Sequence, residues 1–297
     1  MVSWPQLGTR VTVRYRRPAG SVPPLTDAVG HLLDVTPVVR VRTKTGAVVQ
    51  FAAADVVAIR TLSDAPVRIS QIRELEHAAA LAWPGVEQHW LNGWLLRAGR
   101  GATLRANSAV PLEKRAGLDA IPAIVGWYEG RNLTPRLAIA DRLLRTPGAV
   151  EHANRMLVRD VQAAEPDPSV RLSDRPDEAW LRLYRREVPV DVLTSVVDGE
   201  LAFGTEAGRA TARASVTDAP DGTRWVGLSA VRTADPQPDA GAKVCEALLA
   251  WGAARGATRG YVRIRDDDHA VAALAQSLGF ALHHLAHYVT VGADSVT

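Results

Sequence analysis

The sequence predicts a mixed α+β fold: a central sheet flanked by helices, preceded by a small β-barrel. Three observations carry that expectation. Arg224 to Arg232 alternates and is rich in Trp, Val and Leu, and helical spacing follows it from Ala242 to Ala254. Five short strand-like runs separated by turn signals fill the first 60 or so residues. Between these regions, a stretch around Trp127 lines up with one around Trp251.

Composition bounds the class. Of 297 residues, 47% are hydrophobic and 23% charged, as in a soluble globular protein with room for two or three domains. No apolar run approaches the roughly 20 residues of a membrane helix, so no membrane partner is expected. The amino terminus lacks a basic and an apolar region, which argues against a signal peptide. The single cysteine, Cys245, excludes an internal disulfide and fits a cytoplasmic location. A net charge of +3 with interleaved signs is no nucleic-acid footprint.

Residues 1–66 read as a domain of their own. Arg10 to Tyr15, Ala28 to Val35, Val38 to Thr43, Val48 to Phe51 and Val56 to Arg60 are the expected strands, with a tight turn at Lys44 to Ala47. The pattern resembles an SH3-like barrel, and Arg14, Tyr15, Arg16 and Arg17 mark a candidate docking surface on it. Residues 63–66 read as a linker. Ile72 to Ala82 is an amphipathic helix stopped by Pro84, and Trp90 to Arg97 with Ala102 to Val110 reads as a hairpin turning at Gly99 to Gly101.

The repeat divides what remains. Trp127 falls on Trp251, Arg131 on Arg255 and Thr134 on Thr258, a constant offset of 124, while Ala102 to Ala106 matches Ala210 to Ala214 at an offset of 108. The second copy therefore holds 16 extra residues between strand and helix, where Trp225 to Gln237 lies. Residues 67–164 and 165–297 are the two expected halves, joined by a stiff Pro-rich connector. Asp177 to Arg186 then forms a helix with Trp180, Leu183 and Tyr184 on one face.

A strand, a loop of small residues and a helix together make a phosphate cradle, because free backbone N–H groups and the positive helix end point at the loop. Lys243 in the first turn, one of only three lysines, adds a charge. Gln237, Pro238, Asp239, Ala240, Gly241 and Ala242 match the loop pattern of the GNAT superfamily of N-acetyltransferases. Asp268, Val271, Leu274, Ala275, Gly279 and Phe280 match a later pattern of the same family. The chain thus resembles a GNAT protein, with two tandem GNAT-like halves of which the first is degenerate. The resemblance implies acetyl-CoA as co-substrate and transfer of its acetyl group to an amine. It assigns cofactor binding to Leu228, Ser229, Ala230, Val231, Thr233, Gln237, Asp239, Ala240, Gly241, Ala242, Lys243 and Asp268. Ala240 stands where the family prefers Gly, Asp268 replaces the usual Asn, and Ala275 replaces a Tyr that often serves as general acid.

The chemistry needs a neutral amine, a polarised thioester carbonyl and a proton for the leaving thiolate. A backbone N–H near Val231 suits the carbonyl, Glu200 or Glu206 the base, and Tyr288 the acid. Elements ahead of the central strands, with Trp180 and Tyr184, are expected to build the acceptor pocket. His283 and His284, adjacent on a strand, are expected to face opposite sides and so not to share a metal. A coenzyme A binder without turnover, and a docking or nucleic-acid module working through the barrel, remain alternatives. Acceptor and oligomeric state stay open at this point.

Overall fold

The computed structural model describes residues 4–5, 7–62, 67–146, 148–165, 167–234 and 238–292, and it divides into two compact units, Met1–Pro66 and Val67–Thr297. In the first, β1 (Arg10–Arg16), β2 (Leu25–Asp34), β3 (Val38–Thr43), β4 (Val48–Ala52) and β5 (Val56–Thr61) form an antiparallel sheet in the order β4-β3-β2-β1-β5. Alternation drives it: Val11, Val13, Leu32, Val39 and Val41 point into one core, and Phe51 closes it. Of the candidate docking residues, Arg14 is paired with Asp27, and Tyr15 is stacked on Phe51 with ring centroids 3.9 Å apart. At Gly30 a Cβ would lie 2.0 Å from the Arg42 carbonyl, so only glycine lets β2 and β3 approach there.

The second unit opens with α1 (Ile69–Leu81), β6 (Glu87–Leu91), β7 (Trp94–Ala98), β8 (Val110–Pro111), α2 (Ile121–Glu129), β9 (Arg136–Ala140) and β10 (Val150–Asp160). It continues through β11 (Val170–Ser173), α3 (Glu178–Tyr184), α4 (Val190–Leu193), β12 (Glu200–Glu206), β13 (Ala210–Asp218) and β14 (Arg224–Thr233). The chain then runs through α5 (Pro238–Ala253), β15 (Arg259–Arg265), α6 (His269–Ser277) and β16 (Ala281–Thr290). Eight strands make one sheet in the order β11-β12-β13-β14-β15-β10-β16-β9, and β6-β7-β8 make a smaller one. A parallel bridge between Ala109 and Leu137 ties the two together.

The large sheet is layered. Val226, Leu228, Val262 and Ile264 face α5 and α6, joining Val244, Leu248 and Leu249 in one core. Trp225, Tyr261, Met156 and Val158 face the other way, onto Leu75, Ala78 and Ala79 of α1. Gly204 is small because Val244 and Leu248 press on β12; a Cβ there would sit 3.0–3.2 Å from them. The strand order carries one feature that sequence separation hides. β10, made early in the chain, lies between β15 and β16 and pairs antiparallel with both.

Two local expectations are corrected. The hairpin is β6–β7, turning at Asn92 and Gly93, and the expected strand from Ala102 is instead a run of turns. Side chains there capture the backbone. Asn107 Oδ1 accepts from the N–H of Gly99 (2.8 Å) and Gly101 (3.0 Å), its Nδ2 donates to Thr103 O (2.7 Å), and Thr103 Oγ1 accepts from Ala106 N (3.1 Å). The second correction concerns the histidines. A bulge in β16, where Met156 pairs with His284 but Leu157 with Leu282, breaks the alternation. His283 and His284 are both buried, with Nδ1 atoms 2.7 Å apart.

Candidate functional site

The site begins where two strands part. β14 and β15 run parallel from Trp225–Arg259 to Leu228–Val262, and there their pairing ends. Beyond it β14 stays with β13 as far as Thr233, while β15 stays with β10 as far as Arg265. The sheet therefore opens into a V whose inner edges carry backbone N–H and C=O groups with no strand between them. On β14 this edge is also bulged. Arg213 faces Ser229 but Thr211 faces Arg232, and Ala230 takes the left-handed φ of 54°.

A cleft of about 350 Å³ occupies the V. Ser229, Ala230, Val231 and Arg232 form one wall with Asp268 and Val271 of α6; Val262 to Arg265 form the next. Trp83, the Ala102 to Arg105 loop, Tyr184 and Arg186 close the α1 side, and His152, Asn154 and Tyr288 line the rest. Arginine dominates its charge. Arg265 is matched by Asp267 and Arg263 by Glu76, but no carboxylate pairs with Arg105, Arg186 or Arg232 among the described residues. Asp268, the acid of the lining, accepts from the Val271 N–H as the cap of α6 and also attracts Arg232 and Arg265 through its charge.

Behind the cleft the polar groups are fixed. Arg213 is fully buried under Trp83, donating to the carbonyls of Leu193 (2.7 Å), Ala82 (2.9 Å) and Ser195 (3.0 Å) and to Ser229 Oγ (3.3 Å). With only neutral acceptors, burial pushes its pKa down to about 9. Glu76 of α1 receives Arg263 and, at 2.8 Å, Nε2 of His284. Desolvation pushes the Glu76 carboxyl up, but Arg263 and His284 outweigh it and hold it well below the usual carboxylate range. Arg263 also donates to Asn154 Oδ1 (3.2 Å), which links this buried cluster to the cleft lining. Sequence reading missed Glu76, Arg105, Asn154 and Arg263. Nothing local marks them, because their partners are distant in the chain.

The sequence-selected residues divide. Ser229, Ala230, Val231 and Asp268 line the cleft, and Leu228 forms its last closed rung. Thr233 and Gly241 meet beside it: a Cβ on Gly241 would lie 3.0 Å from Thr233 Cγ2 and 3.2 Å from Leu274. Asp239 and Ala240 are in the first turn of α5, Asp239 exposed and Ala240 buried in the core. Gln237 lies outside the described residues. Ala242 and Lys243 face elsewhere, into a second depression, where Lys243 Nζ lies 3.5 Å from Asp167; Lys243 does not reach the cleft. Tyr288 lines the cleft, and its hydroxyl makes no hydrogen bond among the described residues. Tyr184 lines it too, whereas Trp180 is core, packed on Phe203 with its Nε1 donating to Ala212 O.

The candidate bases are displaced. Glu200 starts β12 in the row Glu200–Val216–Val226, on the closed side of the V, and is exposed against Arg255 (2.8 Å). Glu206, at the other end of β12, is buried and pairs with Arg209 of the following turn. Neither is among the cleft residues. Cys245 is buried in α5, and burial pushes its thiol up to about 12, which makes it core rather than nucleophile. Among the described residues no group of three or more His, Cys, Asp or Glu is arranged to hold a metal ion, and no helix is long and apolar enough to cross a membrane.

The family model described as "Probable histone acetyltransferase Rv0428c C-terminal" matches residues 69–289, and the one described as "Rv0428c N-terminal Sm-like domain" matches residues 5–60. The first unit is thus described as Sm-like where the strand pattern alone resembles an SH3-like barrel. A Mycobacterium tuberculosis protein named probable histone acetyltransferase Rv0428c is 62% identical over 303 residues, covering 99% of this chain and 100% of its own. Among solved structures, a GCN5-related N-acetyltransferase from Kribbella flavida is 14% identical, covering 76% of this chain and 96% of its own, with a TM-score of 0.48. A tandem GNAT protein from the clavulanic acid biosynthesis pathway is 12% identical, covering 64% and 76%, with a TM-score of 0.43. By its family match and its 62% identical relative, the chain belongs to the family of the probable histone acetyltransferase Rv0428c.

Proposed function

We propose that the cleft binds acetyl-CoA and that the protein transfers the acetyl group to an amine. The observation that carries this reading is the parting of β14 from β15 beyond Leu228 and Val262, with the bulge at Ala230 on the open edge. An unpaired strand edge matches the amide groups of an extended pantetheine arm as it would match another strand. The first turn of α5, with Asp239, Ala240 and Gly241, offers backbone N–H groups for a pyrophosphate. Acetyl-CoA supplies the acetyl group as a thioester: the amine nitrogen forms the new C–N bond, the C–S bond breaks, and the amine proton ends on the thiol.

The chain's own groups then have defined work. The Val231 N–H in the bulge is the candidate donor to the thioester carbonyl, and Tyr288 is the candidate proton source for the thiolate. No side-chain carboxylate is needed to deprotonate the acceptor. Unmatched guanidinium groups disfavour a second positive charge in the cleft, which lowers the pKa of an incoming amine toward its neutral, nucleophilic form. The residues 67–164 read as an earlier GNAT-like half fit the same proposal, because their β9 and β10 enter the large sheet and Ala109–Leu137 repeats the parallel step of β14–β15.

Thermal unfolding with and without acetyl-CoA tests the reading. At about a hundred times its Kd the ligand stabilises by roughly 2.7 kcal/mol. The parent protein is expected to shift, and Arg232→Glu, which reverses a charge on the β14 wall, to shift far less. Free thiol released with an amine, but not without one, then separates an enzyme from a binder. Absence of any shift at saturating acetyl-CoA overturns the proposal.

A further inference from the structure

An acceptor amine enters water as an ammonium ion and must lose a proton before it can attack. Guanidinium and phenol groups keep their own protons near neutral pH, so imidazole and carboxylate are the side chains able to take one. Among the described residues that line the cleft, these are His152 and Asp268. Asp268 belongs to the β14 wall, where it caps α6. His152 belongs to β10, across the parting of the strands. It is exposed, and its imidazole makes no hydrogen bond among the described residues.

The backbone sets His152 out of its strand. β10 pairs with β16 at Glu151–Tyr288 and again at Asn154–Ala286, so His152 and Ala153 together face the single residue His287. His152 takes a left-handed φ of 46°, which a residue with a side chain holds only where its surroundings impose it. Asn154 Nδ2 donates to the His152 carbonyl at 3.2 Å, and Arg263 donates to Asn154 Oδ1 at 3.2 Å. Ala153 O accepts from Asp266 N at 3.1 Å. The buried pair of Arg263 and Glu76 thus braces the bulge through Asn154. The acids nearby are already partnered. Asp267, which feels the His152 charge, pairs with Arg265, Asp266 with Arg155 (3.1 Å), and Glu151 accepts from Thr290 (3.1 Å). His287 lies 3.3 Å from Asp141, and Arg105, Arg263 and Tyr288 share the cleft lining with His152.

We infer that His152 is the general base of the transfer, its imidazole taking a proton from the acceptor ammonium inside the cleft. This rests on the acetyltransferase reading, and it fills the role that Glu200 and Glu206 leave open by lying away from the cleft. The cleft holds about 350 Å³, so an amine addressing a thioester held along β14 comes within one water of a group on the β10 wall. His152 takes one nitrogen proton and, being exposed, passes it to solvent. The neutral nitrogen forms the C–N bond as the C–S bond breaks, and the second nitrogen proton ends on the thiol. The cleft arginines assist, because an ammonium beside other cations gives up its proton to an imidazole more readily.

Nucleophiles of different basicity test this on the full-length protein. Hydroxylamine is neutral near pH 7, whereas a lysine-rich peptide and spermidine arrive as ammonium ions. The readout is thiol release from acetyl-CoA, followed from about pH 6 to 9. Two variants accept the left-handed backbone, His152→Asn and His152→Gly. Each is expected to lose about 100-fold in kcat/KM with the ammonium acceptors near pH 7, and far less with hydroxylamine. The loss shrinks as pH rises and the amines shed their protons unaided, and added imidazole restores turnover to His152→Gly. Both variants keep the thermal shift with acetyl-CoA. A loss that is equal for all nucleophiles or the same at every pH, or no loss at all, overturns the inference. So does acetyl-CoA binding without turnover of any of these amines, since a base then has no reaction to serve. If wild-type protein shows no acetyl-CoA shift, the acetyltransferase reading itself has failed, a separate outcome.

Discussion

Arg263 and Glu76 meet across 187 positions of sequence, with the Arg263 Nη2 2.5 Å from one carboxylate oxygen and 2.6 Å from the other. The pair joins α1 to β15 directly beneath the cleft, and both side chains are at least nine-tenths buried. Replacing the carboxylate strands a guanidinium in the interior. Glu76→Gln is therefore expected to cost about 3–5 kcal/mol. That corresponds to a fall of roughly 10 °C in the melting temperature of this unit. Circular dichroism melts check it, and an unchanged melting temperature sinks the assignment.

His283 sets the acid limb of stability. Nε2 of His284 meets Glu76 at 2.8 Å, and its Nδ1 faces the Nδ1 of His283 at 2.7 Å. Burial first, then His284 and Arg259, push the His283 pKa down to about 3, against the smaller pull of Glu76. The folded protein thus refuses a proton that the unfolded chain accepts below about pH 6.5, so this contribution is complete above that pH and fades as pH falls toward 3. Glu76, depressed in the folded state, acts only at lower pH, once the unfolded carboxyl begins to protonate. Denaturant titrations between pH 7 and 5 are expected to show a shallower loss in His283→Gln, by up to about 1.4 kcal/mol per pH unit. Parallel slopes for the two proteins refute it.

Gly227 holds the closed end of the V. A Cβ there would fall 2.2–2.6 Å from the ring of Tyr261, which also meets Trp225 edge-on at 6.2 Å. Gly227→Ala forces that ring off its seat, at about 1–3 kcal/mol. In a double-mutant cycle, Tyr261→Leu added to Gly227→Ala is expected to cost less than the two single changes summed. Strict additivity would show that the ring is not the obstacle.

Sequence alone revealed the strand β14 that walls the cleft and the helix α5 that follows it, because alternation at Trp225 to Val231 and helical spacing at Val244 to Trp251 are local signals. The family resemblance also singled out Ser229 to Val231, which line the cleft, though nothing in the local sequence marks the bulge there. What it missed is non-local or hidden by look-alikes. Ala102 to Val110 alternates like a strand, yet Asn107 and Thr103 hydrogen-bond its backbone into turns. Lys243 looked suited to an anion by position, but the helix turns it toward Asp167. Glu200 had the right chemistry on the wrong end of a strand, a distinction that needs the register with β13. Glu76, Arg105 and Arg263 acquire meaning only once distant elements are packed together.

The position of β10 has a consequence for the order in which the chain is made. Its sequence is complete at Asp160, but the strands that flank it begin at Arg259 and Ala281, about a hundred residues later. At ~5–20 residues per second a ribosome leaves it bare on both edges for some 5–20 s. Arg155 and Arg159 along it, and His152 and Asn154 before them, act as gatekeepers during that wait, keeping a long apolar-faced strand from seeking another copy of itself. The nascent protein is thus exposed to misassembly in its middle, and only the last strand, β16, ends that exposure.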